Sequence, residues 1–126
     1  MDGTTAHPLD GDARRCVQAT ADCHQYCIET IVHSRQRGGA FSEPAHLRIL
    51  LDTAEICQTT TDFMLRGSDL ATTLCHLCAE IAERCAYSCD QFGGDRQSRA
   101  CADAARRCAL LCRELARSAL SPSFAA

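Results

Sequence analysis

Eleven cysteines stand in this chain of 126 residues: Cys16, Cys23, Cys27, Cys57, Cys75, Cys78, Cys85, Cys89, Cys101, Cys108 and Cys112. Within the clusters 16/23/27, 75/78/85/89 and 101/108/112, neighbours are three, four or seven residues apart. Steps of that size return a side chain to nearly the same face of an α-helix. The thiols therefore form stripes, and each stripe coincides with the apolar face of its segment. Thiolates are soft ligands that select Cu(I), zinc or iron–sulfur clusters over hard cations. Thiols that line a core in this way point to a thiophilic metal held inside it.

Four helical segments must carry those stripes. The first runs from about Leu9 to Arg37, with the inner positions Ala13, Cys16, Thr20, Cys23, Cys27 and Ile31, and ends at Gly38-Gly39. The second covers about 43–66, with Ser42 as the expected N-cap, Pro44 in the first turn, and the stripe Leu47, Leu50, Ala54, Cys57, Thr61, Met64. Gly67 closes it, and Ser68 or Asp69 is expected to cap the third, about 69–92, whose stripe is Ala71, Cys75, Cys78, Ala82, Cys85, Cys89, Phe92. After Gly93-Gly94-Asp95 the fourth, about 95–119, carries Cys101, Ala105, Cys108, Cys112, Leu115 and Ala119. Short turns between long helices predict an all-α, antiparallel up-down four-helix bundle with a Cys-lined core. Residues 1–8 and 120–126 read as tails, with Ser121-Pro122 ending the last helix.

Heights along such a bundle follow from a rise of about 1.5 Å per residue. Take the end holding the start of the first helix as the bottom. Cys16, Cys57, Cys75, Cys78, Cys108 and Cys112 then fall in the lower half, and Cys23, Cys27, Cys85, Cys89 and Cys101 in the upper half. The thiols make a column, with no single four-ligand cage. A structural zinc site wants one tetrahedron. The iron–sulfur run C-x2-C-x2-C-x3-C needs a cysteine where Ile81 stands. Cu(I) is soft, accepts two or three thiolates and lets them bridge. The pairs 23/27, 85/89 and 108/112 at i, i+4, and 75/78 at i, i+3, can each clamp one ion from one side. If each ion uses two thiolates and each thiolate bridges two ions, the core holds on the order of ten Cu(I).

Two plainer readings compete. Cysteine can be a small buried hydrophobe, but eleven in place of Leu or Ile would make a poor core. A thiol-redox or disulfide-bearing helical protein is the alternative function, and it predicts paired thiols. The odd count argues against it, as do intrahelical i, i+4 pairs near the long limit of disulfide geometry.

Composition narrows the class. The net charge is −3 and all 13 basic residues are Arg, which gives no strong pull toward nucleic acid or anionic membrane. No apolar run approaches a membrane span, and the amino terminus lacks the basic and apolar stretches of a leader, so a cytoplasmic protein with reduced thiols is expected. Glu80, Glu83 and Asp90 on one outer stripe face Arg99, Arg106, Arg113 and Arg117 on another, either as pairs or as a solvated face. H-E-x-x-H, G-x-S-x-G and a Gly-rich phosphate loop are all absent from the sequence, so no enzymatic activity is expected. His33 and His46 are placed near the upper end, as mouth ligands that pass Cu(I) inward or as helix-end side chains. His24 is assigned to solvent or a helix interface, His76 to the surface and His7 to the tail.

The stretch Cys75-His76-Leu77-Cys78-Ala79-Glu80-Ile81-Ala82-Glu83-Arg84-Cys85-Ala86-Tyr87-Ser88-Cys89, with Cys101 through Cys112 and Cys23-His24-Gln25-Tyr26-Cys27, resembles the bacterial Cys-rich four-helix-bundle copper storage proteins. The resemblance covers about residues 10–118. It implies storage of several Cu(I) ions by inward-facing thiolates, buffering and detoxification, and a homo-oligomer, a tetramer among the options, with copper donor and acceptor unspecified. His33, six residues after Cys27, stands as a mouth His does in that family. The chain departs from the family pattern in having only Cys57 on the second helix. Thr61 stands at the next inner turn of that helix, Ile81 and Ala105 stand at inner or near-inner positions that can be Cys in thiol-richer members, and Arg37, Ala40 and Ala45 occupy the region where Met is expected.

Overall fold

The structure, a computed structural model, describes residues 10–119. The expected tails, Leu9, His7 and Ser121-Pro122 lie outside the described residues. Helix α1, Gly11–Arg37, is opened by Asp10, whose carboxylate accepts the Ala13 amide at 2.9 Å. Gly38, at φ 70°, stops it and returns its N–H to the Ser34 carbonyl. A 3-10 turn, Gly39–Ser42, leads into α2, Pro44–Leu65. Ser42 does not cap α2 as its sequence position suggests. Its hydroxyl donates back to the Ser34 carbonyl at 2.9 Å, and Pro44 at the first position removes one of the amides a cap would serve. Helix α3 spans Ala71–Asp90, and neither Ser68 nor Asp69 is its N-cap. Leu70 holds that place without a side-chain bond, and Ser68 Oγ accepts the Leu70 amide within the turn. Helix α4 spans Arg96–Ala119, with Asp95 accepting from the Ser98 amide and hydroxyl.

Each helix packs on the next in chain order and α4 closes back against α1, which is the antiparallel up-down bundle. Among the described residues all eleven cysteines are fully buried. Around them stand small side chains: Ala79, Ala82 and Ala86 on α3, and Ala102, Ala105, Ala109 and Ala116 on α4. Alanine and cysteine let helix axes approach closely and leave the core thin and sulfur-rich. Leu50 is the largest fully buried side chain. Phe92, read as the end of the α3 stripe, lies past the helix in the turn and is only partly buried.

The charged edge forms in part. Arg106 pairs with Asp90 at 2.8 Å and Arg113 with Glu83, tying α4 to α3. Glu80 instead takes Arg84 of its own helix, and Arg99 donates to the Gly93 carbonyl. Both cross-helix pairs are exposed, so each contributes at most about 1 kcal/mol.

Candidate metal centre

From the bottom of the bundle upward, four trios of sulfurs have all Sγ atoms within 4.8 Å of one another: Cys16/Cys75/Cys112, Cys78/Cys108/Cys112 and Cys23/Cys57/Cys108, which share members, and Cys27/Cys85/Cys101, which stands apart. Cys16 and Cys112 approach to 3.6 Å. Cys57, Cys78 and Cys108 form a triangle with edges of 3.7, 3.8 and 3.7 Å. Cys27 lies 3.8 Å from Cys85 and 3.9 Å from Cys101, with Cys89 against Cys101 and Cys85 above. Cys108 and Cys112 each belong to two trios. The result is a ladder of three-sulfur faces built from all four helices, the lower three joined through Cys108 and Cys112 and the uppermost sharing no sulfur with them.

Cys23, assigned by height to the upper half, has its sulfur with Cys57 and Cys108 of the lower half. The side-chain tilt explains this. Helical Cα–Cβ bonds lean toward the helix N-terminus. On α1, which runs upward, that lowers the Cys23 sulfur; on α4, which runs downward, it raises that of Cys108.

These spacings suit a thiolate-bridged soft ion. With a metal–sulfur bond of roughly 2.3 Å, as in zinc thiolates, a trigonal site has sulfurs about 4 Å apart and a linear pair about 4.6 Å apart. The observed separations of 3.6 to 3.9 Å need only slight expansion to reach the trigonal value. They are far from the ~2.05 Å of a disulfide, and all eleven thiols are free.

Protons are shared along the ladder. Hydrogen bonds from Cys108, Cys112 and Cys57 hold the Cys78 thiol far below its ordinary range, and Cys27, Cys85 and Cys89 do the same for Cys101. The donors are shifted the other way: Cys27 is pushed up by Cys101 and Cys23, and Cys112 by Cys108 and Cys16, with burial adding to both. Cys23 and Cys75 are lowered as well by hydrogen bonds from neighbouring thiols, so thiolate-like acceptors and thiol donors are interspersed along the core. Cations that enter take the place of those protons.

The histidines separate. His46 is 4% exposed; its Nδ1 meets Ser88 Oγ at 2.6 Å, and its Nε2 is buried with no hydrogen-bond partner. Burial lowers its pKa, so the ring is held neutral, while the nearby Cys101 sulfur opposes that shift. His33 Nε2 is engaged by Asp95 at 2.9 Å, and Arg37 binds the same carboxylate at 3.0 Å. Its edge also meets Phe41, with ring centroids 5.9 Å apart. His24 sits at the α1/α2 interface with Nδ1 on the Ala54 carbonyl at 2.8 Å, and His76 is exposed. Phe41 and Phe92 stack at 4.3 Å between these groups, with Arg37 over Phe41 and His46 against Phe92. Sequence reasoning missed Ser88 and Asp95, the two partners that distinguish the two histidines. The one available signal was Asp95 ahead of a helix start.

Comparison with known proteins bears on this geometry. A family model described as copper storage protein matches residues 9–117. A solved protein of Nitrosospira multiformis is 36% identical, with TM-score 0.82, over 87% of this chain and 99% of that one. The Cu(I)-bound copper storage protein BsCsp3 is 27% identical, with TM-score 0.79, over 83% of this chain and 98% of that one. The apo form of copper storage protein 3 of Bacillus subtilis is 28% identical, with TM-score 0.73, over 82% and 98%. A search of curated proteins gives no match.

Proposed function

The chain belongs to the copper storage protein family, and from that premise we propose that Cys16, Cys23, Cys27, Cys57, Cys75, Cys78, Cys85, Cys89, Cys101, Cys108 and Cys112 are its Cu(I) ligands. The protein binds and stores several Cu(I) ions through thiolates in the bundle core. The observation that carries the assignment is the ladder of sulfur trios, three of them sharing members, completely shielded from water. Bridging is built into it, because Cys108 and Cys112 each serve two faces. Soft thiolates favour Cu(I) over the hard cations that dominate in water. Each ion that binds releases thiol protons to solvent, and copper stays in the Cu(I) state throughout.

The role is buffering and detoxification by sequestration rather than catalysis. Of the two histidines at the upper end, His46 is the better ligand, because its Nε2 is uncommitted whereas that of His33 is held by Asp95. A cytoplasmic, reducing location keeps the thiols available, and no described helix is long and apolar enough to cross a membrane. A homo-oligomer is part of the same reading. The test is an anaerobic titration of reduced protein with Cu(I) against a chromophoric Cu(I) chelator. On the order of ten ions per chain are withheld from the chelator if bridging thiolates fill the core. Retention of none, or of one or two, overturns the reading.

A further inference from the structure

Cu(I) fills this core through bridging sulfurs, yet part of the core needs no bridge. The trios Cys16/Cys75/Cys112, Cys23/Cys57/Cys108 and Cys27/Cys85/Cys101 share no member with one another. They use nine of the eleven cysteines once each and leave Cys78 and Cys89 spare. Each trio takes one sulfur from each of three helices, with α1 and α4 present every time. Among the described residues no imidazole or carboxylate joins any of them, and all nine thiols are fully buried.

Three such thiols are a complete ligand set for one class of soft ion. Trivalent arsenic and antimony bond to three sulfurs and carry a lone pair on the fourth side. Three thiolates cancel a triply positive ion, so the centre is neutral and leaves no uncompensated charge in the core. One Cu(I) on an isolated trio leaves two negative charges unless its sulfurs bridge to further ions. The distances agree. With bonds of roughly 2.3 Å, a planar three-coordinate ion holds its sulfurs about 4 Å apart. A lone pair closes the angles at the ion and draws the sulfurs nearer to one another. Cys27 stands 3.8 Å from Cys85 and 3.9 Å from Cys101, and Cys57 stands 3.8 Å from Cys108, all on the short side of the planar value.

We propose that the core takes up the trivalent metalloid oxyacids, arsenite or antimonite, as a second cargo, at three pyramidal three-thiolate sites per chain: Cys16/Cys75/Cys112, Cys23/Cys57/Cys108 and Cys27/Cys85/Cys101. The inference rests on the sulfur trios and not on copper storage. Binding is a condensation. Three As–O bonds of arsenous acid, As(OH)3, break as three As–S bonds form, and each thiol proton leaves with a hydroxyl as water. Arsenic stays trivalent, and no electron moves. The acid is uncharged at neutral pH, so it sheds no ionic hydration on its way into the core.

The test is an anaerobic titration of the reduced full chain with sodium arsenite, read by native mass spectrometry. X-ray absorption at the arsenic edge gives the donor set, and circular dichroism follows the helices. Three arsenic atoms per chain are expected, each on three sulfurs with no oxygen, in a protein that keeps its helix content. Cys57→Ala and Cys101→Ala should each lose one arsenic. Cys78→Ala and Cys89→Ala should lose none, although each removes a thiol from the copper store. Cys23→Ala should also lose none, because Cys78 completes a triangle with Cys57 and Cys108 at 3.7 to 3.8 Å. Fewer than three arsenic atoms, retained As–O bonds, equal losses in Cys57→Ala and Cys78→Ala, or uptake that melts the helices overturns the proposal. Copper titration of the same preparation separates the two readings. A capacity on the order of ten Cu(I) with no arsenic bound leaves storage standing and removes the second cargo. Three arsenic atoms with one or two Cu(I) does the reverse.

Discussion

The two hairpins of the bundle solve the same packing problem with different chemistry. Helices α3 and α4 contribute seven thiols, Cys75, Cys78, Cys85, Cys89, Cys101, Cys108 and Cys112, to the core; α1 and α2 contribute four. The fully or nearly buried threonines Thr20, Thr30, Thr53, Thr60 and Thr61 all lie on α1 and α2. Cysteine and threonine are close in size, so both allow close helix packing. Their donors differ. Each threonine hydroxyl bonds the carbonyl three or four residues back on its own helix, and Thr20 and Thr61 also meet each other at 2.6 Å. A hard oxygen already satisfied by backbone does not hold Cu(I). The ions should therefore lie off the bundle axis, toward α3 and α4.

Removing thiols by hairpin tests this asymmetry with the largest effect. All four sulfur trios include residues of α3 or α4, and one of them, Cys78/Cys108/Cys112, needs nothing else. Replacing the seven α3/α4 cysteines by alanine is expected to reduce capacity to about two ions or fewer. Replacing the four on α1 and α2 should leave at least about half of it. Chelator competition gives both numbers, with circular dichroism to confirm that the helices persist. Equal losses would erase the distinction.

Stability provides the next test. Leu50 supports the thiol-poor side with the largest fully buried side chain. Leu50→Ala is expected to cost about 2–4 kcal/mol in apo protein by denaturant unfolding, with Cu(I) capacity unchanged. A smaller effect comes from Asp95, which joins the two hairpins at the upper end through His33 and Arg37. Its carboxyl is held below its ordinary value: burial opposes this, but the Ser98 bonds and His33 prevail. A depressed carboxylate stabilises the fold above its unfolded pKa, and that contribution is lost as pH falls through the folded value. Asp95→Asn should therefore cost about 1 kcal/mol at neutral pH, and the difference from wild type should vanish in acid. Melting temperatures across pH check both statements. The smallest change is a gain: Thr61→Cys puts a sulfur where a hydroxyl stands and should raise capacity by about one ion.

Much of this was legible in the chain because cysteine spacing and helical periodicity report the same face. The inner stripes of α1 and α2 are buried as expected except for Leu47, which is partly buried. Three features were not legible, each because it depends on a contact between distant residues. Thr30, Thr53 and Thr60 flank the stripes and become buried only where two helices close on them. Ser42 has the composition of an N-cap, yet its hydroxyl finds Ser34 once the chain turns at Gly38. His33 and His46 look alike in sequence; Asp95 and Ser88, 62 and 42 residues away, make them different.

The central claim is that the core itself is the copper store, with its ions offset toward α3 and α4. Anomalous diffraction at the copper edge from crystals of the fully loaded protein measures it directly. The account predicts a row of copper sites inside the bundle, each bonded to two or three cysteine sulfurs and most lying nearer α3 and α4. A single occupied site, or copper bound at surface histidines and carboxylates with an empty core, would contradict it.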